Sequence, residues 1–226
     1  MQKLIVLGAG GNVYDLLDIV DAINAVTPTW EIAGLLDDRR EPGSEYLGLR
    51  VEGPLTEARR FEDCLFVSTI WNERSFRTVD AILARTGLDR TRFATLVHPG
   101  ACVSRRARLG HGVLVNFGAS IAGNVTLHDH VFIGPGCIIG HDTIIDGYTT
   151  VAAGAVLSGG VRVERNCYIG SGAMIRQNLR IGTRALVGLG AVVVKDVEPL
   201  TTVAGNPARP LARSAARTEQ TTGSSK

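Results

Sequence analysis

Between residues 101 and 196 the aliphatic positions of this chain recur every six residues. Cut into consecutive hexads, the stretch carries Val, Leu or Ile at the third position of all sixteen, from Val103, Leu109 and Val115 through to Val187 and Val193, without an insertion. The residue two before each of these is small or β-branched, with one Leu, so the interior is narrow. Twelve of the sixteen hexads end in Gly, Asn or Asp, and Gly and Asn tolerate the positive φ of a sharp bend. One strand and one bend per hexad build a solenoid whose strands pair between successive coils, giving parallel sheets and a quasi-one-dimensional fold. Both ends of such a prism are open strand edges, which the flanking segments are expected to cap.

The first 95 residues follow a different rhythm. Apolar runs at 3–7, 31–36 and 64–69 read as buried parallel strands, with amphipathic helices over 14–26 and 73–85 between and after them. Residues 46–54 carry Gly and Pro and read as an irregular loop. Strand, helix, strand, helix, strand is a half-Rossmann pattern. Gly8-Ala9-Gly10-Gly11-Asn12 joins the first strand to the first helix, a place where backbone N–H groups meet phosphate. A dinucleotide fingerprint would need its third Gly at Val13, so the run fails that test. Asp37 and Asp38, just after the second strand, are placed either to take a ribose hydroxyl or to be a solvated acid pair.

Composition narrows the function classes. The 226 residues suit one large domain or two modest ones, and a net charge of +2 argues against nucleic acid or a membrane surface as partner. Cys64, Cys102, Cys137 and Cys167 show no metal-like spacing, and two of them fall at the small inward positions of hexads, so they read as reduced packing residues of a cytoplasmic protein. The four-residue apolar run before Gly8 predicts no signal peptide, and no stretch reaches the length of a membrane span.

The repeat resembles the hexapeptide-repeat transferases, a resemblance that implies a left-handed parallel β-helix of three hexads per coil, with residues 18 apart stacked. With its first domain, the chain is similar to the sialic acid O-acetyltransferase and nucleotide-sugar N-acetyltransferase group. That similarity divides it into a Rossmann-like domain holding a nucleotide sugar (1–95), an acyltransferase β-helix (96–211) and a disordered tail (212–226). Leu96-Val97-His98-Pro99 matches the junction and Val203-Ala204-Gly205-Asn206-Pro207-Ala208-Arg209 the closing motif.

The resemblance implies an acetyl-CoA-dependent transfer to the amino group of a nucleotide-linked sugar, by a homotrimer with sites between neighbouring prisms and no metal. His141 would be the general base, Asp142 its orienting acid and the Gly159 N–H the oxyanion donor. Thr150, Gly159, Ser171, Leu189, Lys195 and Arg209 would line the acetyl-CoA groove, with Arg184 as a further phosphate partner. Gly10, Gly11, Asn12, Asp37, Asp38 and Ile70 would hold the nucleotide. The chain departs from the N-acetyltransferases in having Asn12 where they carry His in a Gly-His-Gly run, Ile70 where they favour Gly, and Thr150 where many have a second His. A sugar hydroxyl as acceptor, as in the sialic acid enzymes, is the alternative. A γ-type carbonic anhydrase is more remote; His111, His128 and His130 would have to supply its zinc ligands.

Overall fold

The computed structural model describes residues 1–211; the tail expected over 212–226 lies outside the described residues. Strands β1 (Gln2–Leu7), β2 (Trp30–Leu36), β3 (Glu45–Tyr46), β4 (Leu49–Gly53) and β5 (Leu65–Ser68) form a sheet in the order β3-β4-β2-β1-β5. All pairs are parallel except the β3–β4 hairpin. β1 lies between β2 and β5, and Leu4, Ile5, Val6 and Leu7 are fully buried, as a central parallel strand requires.

Two expectations are corrected here. Residues 46–54 are a hairpin, because Leu47 and Gly48 turn with φ of +52° and +74° and Val51 reaches the core. Their Gly and Pro disguised a strand that β2 needs at its edge. Helix α1 (Val13–Val26) matches its pattern, burying Val13, Leu16, Ile19 and Val20. Helix α2 shrinks to Val79–Ala84, since the Asn72 Oδ1 accepts the amide protons of Arg74 and Ser75 and holds residues 72–75 in a turn.

From Leu96–Val97 to Val192–Val193 the chain is a stack of two-residue strands, and each one up to Met174–Ile175 pairs in parallel with the strand 18 residues on, as in Val103, Ile121, Ile139, Leu157, Ile175 and Val193. The third-position aliphatics and the small residues two before them form one continuous core. Val203 stacks on Val187, and residues 205–211 turn back so that Ala208 donates to the Val192 carbonyl and Leu211 to that of Thr202, covering the last coil's edge.

All fourteen sixth positions from Gly112 to Gly190 adopt φ between +56° and +71°. They include His130, Tyr148 and Arg184, residue types for which left-handed backbone costs about 1 kcal/mol or more. These three, with Asn166, stand 18 apart on one edge of the prism, where the N-terminal region docks. The His130 ring stacks on Tyr148 (4.8 Å, 18°) and meets the edge of Phe93 (4.4 Å, 84°). Asn166 donates to the Phe76 carbonyl at 3.0 Å, and Arg184 pairs with Asp80 at 3.5 Å. Docking contacts offset the backbone cost at this edge.

The three faces differ in what they present outward. One face (Leu96, Leu114, Phe132, Thr150, Tyr168) lies beneath the N-terminal region, where Trp71 stacks on Phe132 at 4.3 Å and Phe76 tilts over Tyr168. A second carries Arg162 and Arg180, paired with Asp146 and Glu164. The third (Cys102, Ser120, Ile138, Val156, Met174, Val192) is apolar and uncovered among the described residues: Ile138 is 50% and Met174 54% exposed.

Candidate active site at two edges and a cleft

Outside the carboxyl ends of β1, β2 and β5 opens a cleft of about 890 Å³, and Gly10, Gly11, Asn12, Asp37, Asp38 and Ile70 all line it. A Cβ at Gly10 or Gly11 would meet nothing within 4 Å, so the chain itself makes no demand for glycine there. Gly8 is the position crowded from within, with φ +97° and a built Cβ 2.7 Å from the Ile70 side chain. Between Gly8 and α1, the amides of Gly10, Gly11 and Asn12 donate to no group among the described residues. Three free N–H groups at a helix N-terminus suit an anion.

The polar side chains here are partly committed. Asn12 does not cap α1; its Nδ2 donates to the carbonyls of Thr69 (3.0 Å) and Trp71 (2.7 Å), tying the glycine loop to the loop after β5. Asp37 accepts from the amides of Ala9 and Arg39, both at 2.8 Å. Asp38 accepts from the Leu55 amide and from Arg85 (2.6 Å). Both acids thus brace the cleft walls. Arg40, Arg85 and Ser75 also line the cleft, and the Ser75 Oγ is buried without a partner among the described residues; composition did not single these out.

The second group sits on the edge between the uncovered apolar face and the charged face. His141 follows the strand Ile138–Ile139, and its Nδ1 lies 2.7 Å from Asp142 Oδ2. The other Asp142 oxygen accepts from the Asn124 Nδ2 at 2.6 Å, a contact that sequence reading missed because its partners lie 18 residues apart on adjacent coils. These hydrogen bonds, from Asn124 first and His141 second, hold the Asp142 carboxyl below its ordinary range. Nothing among the described residues covers the pair: the side chains of His141 and Asp142 are 74% and 55% exposed. Gly159 lies directly above, where a built Cβ would come within 2.7 Å of both Cε1 and Nε2 of the imidazole. Its amide donates to no group among the described residues. Lys195 stands two coils higher on the same edge and is exposed.

The remaining expected groove residues are elsewhere. Ser171 and Leu189, the latter 82% exposed, lie on the other edge of the apolar face, whose sixth positions are all glycine from Gly118 to Gly190. Arg209 is exposed on the closing strand. Thr150 is 4% exposed, in the wall of a small cavity shared with Ile70, Trp71 and His130 under the N-terminal region. Arg184 is likewise spent on docking, through Asp80. The histidines weighed as zinc ligands diverge, His130 into the docking edge and His128 toward Asp146 at 3.6 Å. Among the described residues no three metal-ligating side chains converge.

Comparison with known proteins gives one consistent neighbourhood. The bacterial transferase hexapeptide family (six repeats) matches residues 106–141 and 124–159. The chain is 32% identical over 122 residues to the UDP-N-acetylbacillosamine N-acetyltransferase of Bacillus subtilis (strain 168), a match that covers 51% of each, so it spans about half the length of that curated relative. It is similar over 93% of its length to the whole acetyltransferase domain of PglB from Neisseria gonorrhoeae FA1090, with 32% identity and a TM-score of 0.79, and that domain has also been solved in complex with acetyl coenzyme A. PerB from Caulobacter crescentus, solved in complex with CoA and GDP-perosamine, is 26% identical over 93% of this chain and 97% of its own, with a TM-score of 0.78.

Proposed function

This chain belongs to the hexapeptide-repeat acetyltransferases of the nucleotide-sugar N-acetyltransferase group, and from that premise we propose that it moves an acetyl group from acetyl-CoA to the amino group of a nucleotide-linked sugar. The observation that carries the reading is the exposed His141–Asp142 pair lying against the unengaged amide of Gly159. Asp142 accepts from Nδ1, which leaves Nε2 as the basic nitrogen. Nε2 takes the proton as the sugar amine attacks the thioester carbonyl, and the Gly159 N–H stabilises the oxyanion. When the tetrahedral intermediate collapses, the C–S bond breaks and CoA leaves as its thiol, carrying a proton that His141 returns. The cleft at the glycine loop would hold the nucleotide, its diphosphate on the free amides at the start of α1.

The same geometry supports a homotrimer. The N-terminal region covers one face of the prism, whereas His141 stands on the opposite edge, so the cleft and the histidine of one chain face apart. The apolar face between the two groove-lining edges has no partner among the described residues. Closing three such faces around an axis sets one chain's histidine edge against the next chain's Ser171–Leu189 edge. Acetyl-CoA would lie in that seam, and the neighbour's cleft would deliver the sugar. The absence of any helix long and apolar enough to cross a membrane among the described residues, and four unpaired cysteines, fit a cytoplasmic site of action.

The decisive experiment incubates purified protein with acetyl-CoA and a panel of amino-sugar nucleotides, reading free thiol and product mass. A product heavier by one acetyl group, lost in His141→Ala while the fold persists, supports the reading; full turnover in that variant removes the proposed base. Acetylation of a sugar hydroxyl instead would move the chain to the O-acetyl branch.

A further inference from the structure

Asp142 occupies a bend at φ +59°, where most of its counterparts are Gly or Asn. An acid there, 55% exposed, has no packing to fix its rotamer, so whatever orients it must be a hydrogen bond. The donor is Asn124, at the same edge one coil below, with φ +60° and its side-chain amide 2.6 Å from Asp142 Oδ1. A carboxylate only accepts, so the amide must present its NH₂. The neighbouring corner asparagines do other work: Asn166 donates to the Phe76 carbonyl, and Asn178 leans over Gly160, which carries no side chain.

We propose that Asn124 is a positioning residue for acetyl transfer: its amide clamps one Asp142 oxygen so that the other stays on His141 Nδ1. That contact fixes the imidazole as the Nε2-basic tautomer and aims it across Gly159. The clamp matters because the pair is exposed; in a dry site burial would restrict the carboxylate, and here a second oxygen left to water would let it rotate off the ring. The inference rests on the acetyl-transfer reading and adds a third member to its proton-handling set.

The test is Asn124→Gly, because glycine adopts φ +60° without strain and takes the amide away together with its exposed methylene. Its melting temperature should match the parent, kcat should fall about tenfold, and KM for both substrates should stay within about twofold. In an Asp142→Ala background the same change should alter kcat by less than about twofold, since the clamp then holds nothing. An unchanged kcat in an active parent, or an equal loss in both backgrounds, overturns the proposal. If the parent transfers no acetyl group to any acceptor, the functional reading fails, and the clamp is still decided by NMR titration of carboxyl-labelled Asp142. Asn124→Gly should raise that pKa; an unmoved titration overturns the assignment.

Discussion

Acid should loosen this protein at one identifiable point, the His130 ring. Burial pushes its pKa down from 6.5 to about 4, against the upward pull of Asp129, and its Nδ1 is buried without a partner. In the unfolded chain the ring takes a proton near 6.5, in the folded chain near 4. Between those values the unfolded state binds more protons, so stability falls as pH falls through that window and levels off below it. Between pH 7 and pH 5 the loss from this one group is about 2 kcal/mol. The perturbation is His130→Asn, which tolerates the left-handed bend and does not titrate. Trp71, stacked on Phe132 beside the same cavity, supplies a fluorescence reporter for urea unfolding of the docking seam. The variant starts less stable, having lost the Tyr148 and Phe93 contacts, but its drop between pH 7 and pH 5 should be smaller than the parent's by about 2 kcal/mol. The other four histidines are common to both proteins and cancel. Equal drops in parent and variant would refute the reasoning.

Other expectations follow from the same geometry. Gly159→Ala places a methyl 2.7 Å from two imidazole ring atoms and should cut kcat by about tenfold or more while the melting temperature barely moves, checked by steady-state kinetics beside calorimetry. His141→Ala should cost about a hundredfold or more in kcat with acetyl-CoA affinity retained, measured by thiol release and calorimetric titration. On the proposed trimer, Ile138→Arg puts a charge at the centre of the exposed apolar face and should shift the particle from three chains to one in light scattering, with loss of activity in parallel; an unchanged mass would show that this face is not the interface.

The solenoid was legible because its period is written in single residues: the inward aliphatics and most bends are residue types that local chemistry demands. The bends at His130, Tyr148 and Arg184 were not, since their backbone cost is offset by Phe93, Tyr148's own stack and Asp80, contacts between segments far apart in sequence. The β3–β4 hairpin was hidden for a related reason: its turn residues outweighed Val51, whose burial depends on pairing with β2. In the candidate site, the spacing of eighteen and the resemblance named His141, Asp142 and Gly159, and the structure brings these three together. The Asn124 contact needed the stacking of adjacent coils, and the burial of Thr150 needed the N-terminal region in place.

Each turn of the prism consumes eighteen residues and climbs one strand spacing, about 4.8 Å, so altitude is counted in whole storeys. Removing eighteen residues between Val97 and His141 would lower the imidazole by a full step while leaving every layer in register. Excising six would swing it round to a different corner altogether, so the height and the bearing of the histidine are set separately by the count of whole coils and of single hexads.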